Sequence, residues 1–236
     1  MLEYLTKRPD LTKGFRLMKK WNAVTPSKMN RSASVLYTAN TVLSDLETIH
    51  QKASPFGLLA FLRYDYKKIL IRTRFLYIDR IFRRKKGQLS GSDLDYAFFE
   101  PILLCFPCLE FLGRISFPSL YNPPHSRATN KILTAMLKQM GGGYATHATR
   151  LVDWHRNALA HEFRPHGKWI YDLNTKNKYG EPSVDANDRI YLNIPHFIDS
   201  CINEIEKICD LLIDPHHSAR VMSNFSKYWN KRKTDV

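Results

Sequence analysis

The sequence has few cysteines and no apolar run long enough to cross a membrane. Only four of its 236 residues are Cys, whereas a secreted disulfide scaffold is dense in them. The longest central apolar run, residues 102–112, is interrupted by Pro107 and Glu110 and falls short of the roughly 20 residues of a membrane-spanning helix. Residues 1–20 carry charged side chains without an apolar core, unlike a signal peptide. We therefore expect an unprocessed cytoplasmic protein without membrane contact.

The four cysteines are predicted to be buried thiols. Cys105 and Cys108 form a C-x2-C pair, but no second C-x2-C or H-x3-H follows, which a closed zinc site would need. No βαβ pattern surrounds the pair, as a thioredoxin-like redox motif would require. Free Cys is among the residues most often found in protein cores. We expect neither a metal nor an organic cofactor.

Acidic residues are scarce relative to basic ones, and the excess positive charge is concentrated in two segments. Lys and Arg together number 36 and Asp and Glu 22, a formal net charge of +14. Residues 1–33 hold eight basic and two acidic side chains (+6), and residues 63–86 hold ten and two (+8), so these segments account for the whole excess. Such a field attracts polyanions, nucleic acid first. A solvated helix face with a basic tail is the alternative.

Hydrophobic spacing predicts a basic extension at 1–33 and a mainly α-helical domain at 34–236. Helices are expected at 33–53, 58–84, 92–117 with a break at Pro101, 127–140, 144–163 and from Pro195 onward, with a restart at Pro215. The period changes to two at 168–173 and 189–194, which predicts two strands paired as an inserted β-hairpin with a long tip. The expected fold is a bundle of about five or six helices with one small β-hairpin.

The predicted helix 144–163 carries a polar stripe that a water-facing helix does not require. Arg150, Trp154, Asn157 and His161 follow at spacings of four, three and four and therefore share one face. The amide of Asn157 lies one turn from His161 and can orient one imidazole nitrogen. Arg156 lies about 140° around the helix from His161, so it reaches the same site with its long side chain or from another subunit.

Residues 156–161 read Arg-Asn-Ala-Leu-Ala-His, which resembles the R-x4-6-H signature of the HEPN superfamily in its R-N-x-x-x-H form. The resemblance implies a four- or five-helix bundle that forms a homodimer, with the motifs of two protomers in one composite cleft. Many members are metal-independent endoribonucleases, and many act in antiviral defence or in toxin and antitoxin pairs. By this resemblance Arg156 and His161 are catalytic and Asn157 supports them.

Metal-free RNA cleavage needs little beyond these groups. The 2′-hydroxyl attacks the phosphorus, an imidazole such as that of His161 moves the proton, and a guanidinium such as that of Arg156 stabilises the phosphorane. No carboxylate cluster with metal-ligand spacing lies near the motif. The structural alternatives are that His161 caps a helix or packs against a neighbour, and that Arg156 pairs with Glu162.

The basic segment provides candidate RNA contacts. Arg63, Lys67 and Arg74 fall on one face of the predicted helix 58–84, with Tyr side chains interleaved. We predict that these cations follow phosphates while the rings stack on unpaired bases, and that Arg150 and Trp154 of the motif helix join them. The tyrosines are equally well explained as residues at the edge of the core.

Two function classes follow from the sequence. The first is a HEPN-type endoribonuclease that acts on RNA in a defence or toxin system, with an acidic antitoxin or a defence protein as a further partner. The second is a non-catalytic HEPN adaptor that dimerises and binds RNA, a nucleotide or a protein.

Overall fold

The computed structural model of this chain describes residues 39–75, 99–120, 127–153, 169–172 and 180–233. The chain divides into two compact units, Met1–Asp45 and Leu46–Val236. Of the first unit, the structure describes residues 39–45, which belong to helix α1 (Ala39–Gln51). This helix lies within the predicted helical run 33–53.

The second unit is built mainly of helices. Helix α2 is one continuous run of three segments, of which the middle is a π-helix: Pro55–Phe61, Leu62–Lys67 and Lys68–Thr73. The helices that follow in the described residues are α3 (Phe99–Ser116), α4 (Arg127–Met140), α5 (Gly142–Thr146), α6 (Ala148–Leu151), α7 (Ile194–Ile213) and α8 (Pro215–Lys233). The predicted mainly α-helical fold class with a small β-hairpin is confirmed.

Capping side chains and prolines set the helix boundaries. Ser54 precedes α2, and its Oγ accepts a hydrogen bond from the Gly57 amide at 3.0 Å. Asn193 precedes α7, and its Oδ1 accepts from the His196 amide at 2.9 Å. Both helices carry Pro in the first turn, where a missing N–H costs no helical bond. Asp214 between α7 and α8 is extended (ψ 117°), as expected before proline.

Helix α3 differs from the prediction. A break was expected at Pro101, but residues 99–116 form one helix that contains both Pro101 and Pro107. Pro101 is buried, as is its neighbour Ile102. Pro107 lies in the interior and is exposed. Burial of the apolar side chains around it holds the helix together.

Three short strands form one sheet in the order β1-β3-β2: β1 (Trp169–Asp172), β2 (Ser183–Val184) and β3 (Ile190–Asn193). Strands β2 and β3 are antiparallel and form the hairpin. Strands β1 and β3 are parallel, with Trp169 opposite Ile190. The prediction that 168–173 and 189–194 are the two arms of the hairpin is therefore wrong. The strand that forms the hairpin with β3 is β2. It is two residues long, which is too short for an alternating apolar pattern to indicate a strand.

The core of the second unit lies where α7 packs against α2, α3 and α8, and where α3 packs against α4. Aromatic rings meet at this junction; the Phe106 and Phe197 centroids, for example, lie 5.8 Å apart. Side chains with at most 1% exposure come from each of these helices: Leu58, Leu62, Ile102, Leu109, Leu112, Ile132, Met136, Phe197, Ile205 and Phe225. This burial is the main stabilising term for the fold.

Gly113 allows α3 and α4 to approach closely. A Cβ at this position would lie 2.5 Å from Cγ2 of Ile132 and 2.7 Å from Cγ of Met136. We predict that Gly113→Val lowers the free energy of unfolding by about 1–3 kcal/mol, because the added methyls overpack this contact. Urea denaturation measures it. The control, Leu104→Val, also adds a β-branched residue to α3 but at an exposed position. Equal losses in both variants would contradict the predicted close packing.

Candidate functional site

The predicted site residues divide into two groups. Trp154, Arg156, Asn157 and His161 lie outside the described residues. Arg63, Lys67, Arg74 and Arg150 are described. The geometry available for a candidate site therefore comes from residues 141–153, which lead toward the motif, and from the basic helix α2.

A glycine turn separates α4 from the segment that leads to the motif. Helix α4 ends at Met140, and Gly141 (φ 82°) and Gly142 (φ 50°) follow it with positive φ. Positive φ is readily adopted by Gly and costs other residues energy. The predicted end of helix 127–140 at the glycines is confirmed.

Glu181 and Pro182 pack directly on this turn. A Cβ on Gly143 would lie 2.0 Å from the carbonyl oxygen of Pro182. The amide of Gly143 donates to Oε2 of Glu181 at 2.7 Å. The chain just before β2 is thus fixed to the start of α5 at a distance that only Gly permits.

Tyr144 joins this segment to helix α7. Its side chain is 2% exposed, and a hydrogen bond of 2.8 Å links its hydroxyl to Nδ1 of His196. Oγ of Ser200 donates to the same hydroxyl at 3.3 Å. The Tyr144 ring stacks on His196 and on Phe197, with centroids 6.0 and 5.7 Å apart. Burial raises the pKa of Tyr144, so the hydroxyl stays protonated.

We predict that Tyr144→Phe lowers the free energy of unfolding by about 1–2 kcal/mol. The substitution keeps the ring but removes the hydroxyl that His196 and Ser200 share, which leaves these two groups only their own weaker contact at 3.4 Å. The matched control is Tyr64→Phe, since the Tyr64 side chain is 39% exposed. Chemical denaturation of both variants measures the difference, and an equal small effect would show that the buried hydrogen bonds contribute nothing.

The segment after Tyr144 is not the single helix 144–163 that the sequence predicts. Helix α5 ends at Thr146, and α6 starts at Ala148. His147 between them has φ −106° and ψ 13°, the bridge region of backbone space. No proline or glycine lies at this break, so local propensity does not indicate it. Partial burial, and then the charge of Arg150, lower the pKa of His147.

Arg150 lies on the exposed surface beside the β2–β3 hairpin. Its Nη1 lies 3.5 Å from Oδ1 of Asp188 in the hairpin turn, and both side chains are exposed. An exposed pair at this distance contributes little to stability. Arg150 is thus available at the surface but has a carboxylate beside it.

The three predicted RNA-binding cations of α2 contact carboxylates of α7. Nη2 of Arg63 lies 3.3 Å from Oε2 of Glu206, and Nζ of Lys67 contacts Oε1 of the same side chain. Nε of Arg74 lies 2.8 Å from Oδ1 of Asp199, and its Nη2 donates to Oδ2 at 3.2 Å. Asp199 and Glu206 are seven residues apart and share one face of α7. We call Arg63, Lys67 and Arg74 the inner row of α2.

The inner row is partly shielded from water. The Arg63, Lys67 and Arg74 side chains are 21, 27 and 26% exposed, so their ion pairs are less screened than surface pairs. Burial raises the pKa of the adjacent Cys209 to about 12, with Glu206 adding to the rise and Arg63 opposing it. The structure therefore directs the predicted phosphate-binding face toward the protein's own carboxylates.

We predict that Glu206→Gln lowers the free energy of unfolding by about 1–3 kcal/mol, because one carboxylate neutralises two partly buried cations. The control is Asp210→Asn, an exposed carboxylate one turn further along α7. Urea denaturation in low and high salt measures both variants. A loss no larger for Glu206→Gln than for Asp210→Asn would contradict the role of this pairing.

The four cysteines are buried free thiols, as predicted. Burial, and then the neighbouring Cys105, raise the pKa of Cys108, and burial likewise raises that of Cys201. A raised pKa makes the thiols of Cys108 and Cys201 poor nucleophiles and poor metal ligands at neutral pH. Among the described residues, no group of three or more His, Cys, Asp or Glu side chains is arranged to hold a metal ion.

A cleft of about 370 Å³ opens between α3, α4, α7 and α8. Its walls combine aliphatic side chains with four polar or basic ones: Ile115, Ser116, Gln139, Ile208, Leu211, Arg220, Val221 and Asn224. None of these side chains pairs a nucleophile with a general base. The cleft is thus a poor candidate for an active site.

Sequence reasoning missed the residues that tie the motif segment to the core. His196 and Ser200 contact Tyr144 across more than 50 positions of sequence, and no local pattern links them. No local pattern predicts that Glu206 pairs with Arg63 either. A seven-residue carboxylate spacing on the amphipathic α7 was the one available signal.

Comparison with protein-family models, with curated proteins and with solved structures gave no match. Within the described ranges, every helix is too short or too polar to span a membrane.

Proposed function

We propose that this chain is a metal-independent endoribonuclease of the HEPN type. The observation that carries the proposal is the sequence of residues 156–161, where Arg156, Asn157 and His161 have the spacing of an R-N-x-x-x-H motif. The mainly α-helical fold supports it, because the superfamily that the motif resembles is α-helical. The described segment toward the motif is also firmly anchored, with Tyr144 buried against α7.

In this proposal His161 is the general acid and base of a transesterification. Its imidazole takes the proton of the 2′-hydroxyl as that oxygen attacks phosphorus, and a protonated imidazole returns a proton to the leaving 5′-oxygen. The guanidinium of Arg156 donates to the non-bridging oxygens and stabilises the phosphorane. Asn157 orients the imidazole. The products are a 2′,3′-cyclic phosphate and a 5′-hydroxyl.

A homodimer completes the proposed site. Arg156 and His161 lie about 140° apart on an ideal helix, so two protomers that face each other can supply both groups to one cleft. The four buried free thiols fit a reducing compartment, and we place the activity in the cytoplasm. A defence or toxin system, with an acidic antitoxin or a defence protein covering the basic surface, is the proposed setting.

We predict that purified protein cleaves single-stranded RNA in the presence of a metal chelator, and that His161→Ala and Arg156→Ala each lower the rate by about 10²–10⁴-fold. Gel electrophoresis of end-labelled RNA measures the rate. Products that resist phosphatase until acid treatment identify the cyclic phosphate.

The matched controls are His216→Ala and Arg220→Ala, which remove the same residue types from exposed positions of α8 and should leave cleavage unchanged. Undiminished cleavage in both motif variants would refute the assignment of the nuclease to this motif. Toxicity on expression that disappears with His161→Ala would support the toxin setting.

The second candidate function is a non-catalytic HEPN adaptor that dimerises and binds RNA, a nucleotide or a protein. One observation favours an adaptor that binds a protein: the four described cations predicted to bind RNA all lie beside carboxylates of this chain, so protein carboxylates rather than phosphates are the groups they contact. RNA retention without cleavage, equal in the unmodified protein and in His161→Ala, would identify the adaptor.

A further inference from the structure

Helix α2 carries a second set of side chains, which are exposed. Tyr64, Lys68, Ile71, Arg72 and Phe75 recur at i, i+4, i+7, i+8 and i+11, the spacing of one helix face. Tyr64, Ile71 and Phe75 are 39, 41 and 39% exposed, and Lys68 and Arg72 are exposed as well. We call these five residues the outer face; it extends over α2 and the helical residues 74–75 that continue it.

The cations of the outer face differ from those of the inner row in their ion pairing. Arg63, Lys67 and Arg74 are neutralised by carboxylates of α7. Lys68 and Arg72, in contrast, have no ion-pair partner within the part of the chain that the structure describes. The sequence adds five further basic residues between 80 and 86, which lie outside the described residues.

The rings and cations of the outer face alternate along the helix. From Tyr64 to Phe75, a ring, a cation, an aliphatic side chain, a cation and a second ring follow one another over about 16 Å. Sequence-tolerant sites for single-stranded nucleic acid combine these two elements, because aromatic rings stack on unpaired bases while cations contact phosphates. A paired duplex keeps its bases stacked inside and offers nothing to the rings. A membrane-surface helix needs a continuous apolar face, which the two cations interrupt.

We propose that the outer face of α2 binds single-stranded RNA. Tyr64 and Phe75 stack on unpaired bases, and Lys68 and Arg72 contact the phosphates between them. The inference rests on the proposed function, in that the RNA held here is the substrate. It transfers the predicted RNA contacts from the inner row to the neighbouring outer face, about 100° around the helix.

The test measures fluorescence anisotropy of a labelled single-stranded RNA dodecamer with the full chain carrying His161→Ala, which holds the RNA intact. Two variants are added to this background: Lys68→Ala/Arg72→Ala and Tyr64→Leu/Phe75→Leu. The matched control is Lys131→Ala/Arg220→Ala, which removes the same two charges from exposed positions of α4 and α8. Far-UV circular dichroism verifies that each variant is folded, and Lys68→Arg/Arg72→Lys tests whether charge at these positions restores binding.

We expect Lys68→Ala/Arg72→Ala to weaken RNA binding by roughly tenfold or more and to reduce the slope of log affinity against log salt by roughly 1.4, for two phosphate contacts. Tyr64→Leu/Phe75→Leu should weaken binding by roughly tenfold through lost stacking, and less for a duplex of the same sequence. The control should change the affinity by less than about threefold, because distant exposed charges are screened.

Three results would overturn the inference. The first is equal loss of affinity in the face variants and in the control. The second is a dimer that Tyr64→Leu/Phe75→Leu dissociates while RNA affinity stays unchanged, which would make the face a protein interface. The third is tight, face-dependent binding to vesicles with anionic lipid and none to RNA.

Failure of this inference and failure of the proposed nuclease give different results. Cleavage is scored by comparing the unmodified protein with His161→Ala, and binding is scored by comparing outer-face variants with the control. A chain that binds RNA through the outer face but cleaves none would retain the RNA-binding face, remove the claim that this RNA is a substrate, and favour the adaptor. A chain that cleaves RNA with undiminished affinity in the face variants would retain the nuclease and remove the inference.

Discussion

The ion pairs between α2 and α7 are the constraint on which the electrostatic character of this protein depends. Helix α7 presents an apolar stripe to the core and, beside it, Asp199 and Glu206 to the cations of α2. Hydrophobic burial brings the two helices together and sets which side of α2 faces inward, and the carboxylates of α7 then neutralise the cations beside that side. As a result, a helix whose sequence suggests one uniformly basic surface has a neutralised inner row and an exposed outer face.

The same helix supports the segment that leads to the motif. His196 and Ser200, in the first two turns of α7, bind the hydroxyl of Tyr144. The glycine turn lets Glu181 and Pro182 pack against the start of α5. A nuclease that acts through one imidazole and one guanidinium requires that both be held in fixed positions. The buried Tyr144 anchors the segment that precedes the motif in the core, and this anchoring would help to hold the two groups in place.

Local signals in the sequence predict those helix boundaries that a glycine or a proline sets. Gly141 ended α4 and Pro215 started α8 as expected, because these residues restrict the backbone whatever surrounds them. Features that depend on distant partners were not predictable: the parallel pairing of β1 with β3, the break at His147 and the pairing of Arg63 with Glu206. The sequence of a single helix shows which cations share one face, but it does not show what that face contacts. For this reason the helical fold was predicted well and the direction of the inner row was not.

The most direct test of this account is a double-mutant cycle between the two helices, with Lys67→Met and Glu206→Gln made singly and together and unfolding followed in urea. Nζ of Lys67 and Oε1 of Glu206 form one of the ion pairs between α2 and α7. The account predicts a coupling free energy of about 1 kcal/mol, in the range of partly buried charge pairs. Additive effects, with a coupling below about 0.3 kcal/mol, would show that α7 does not hold the inner row and would contradict the division of α2 into two faces.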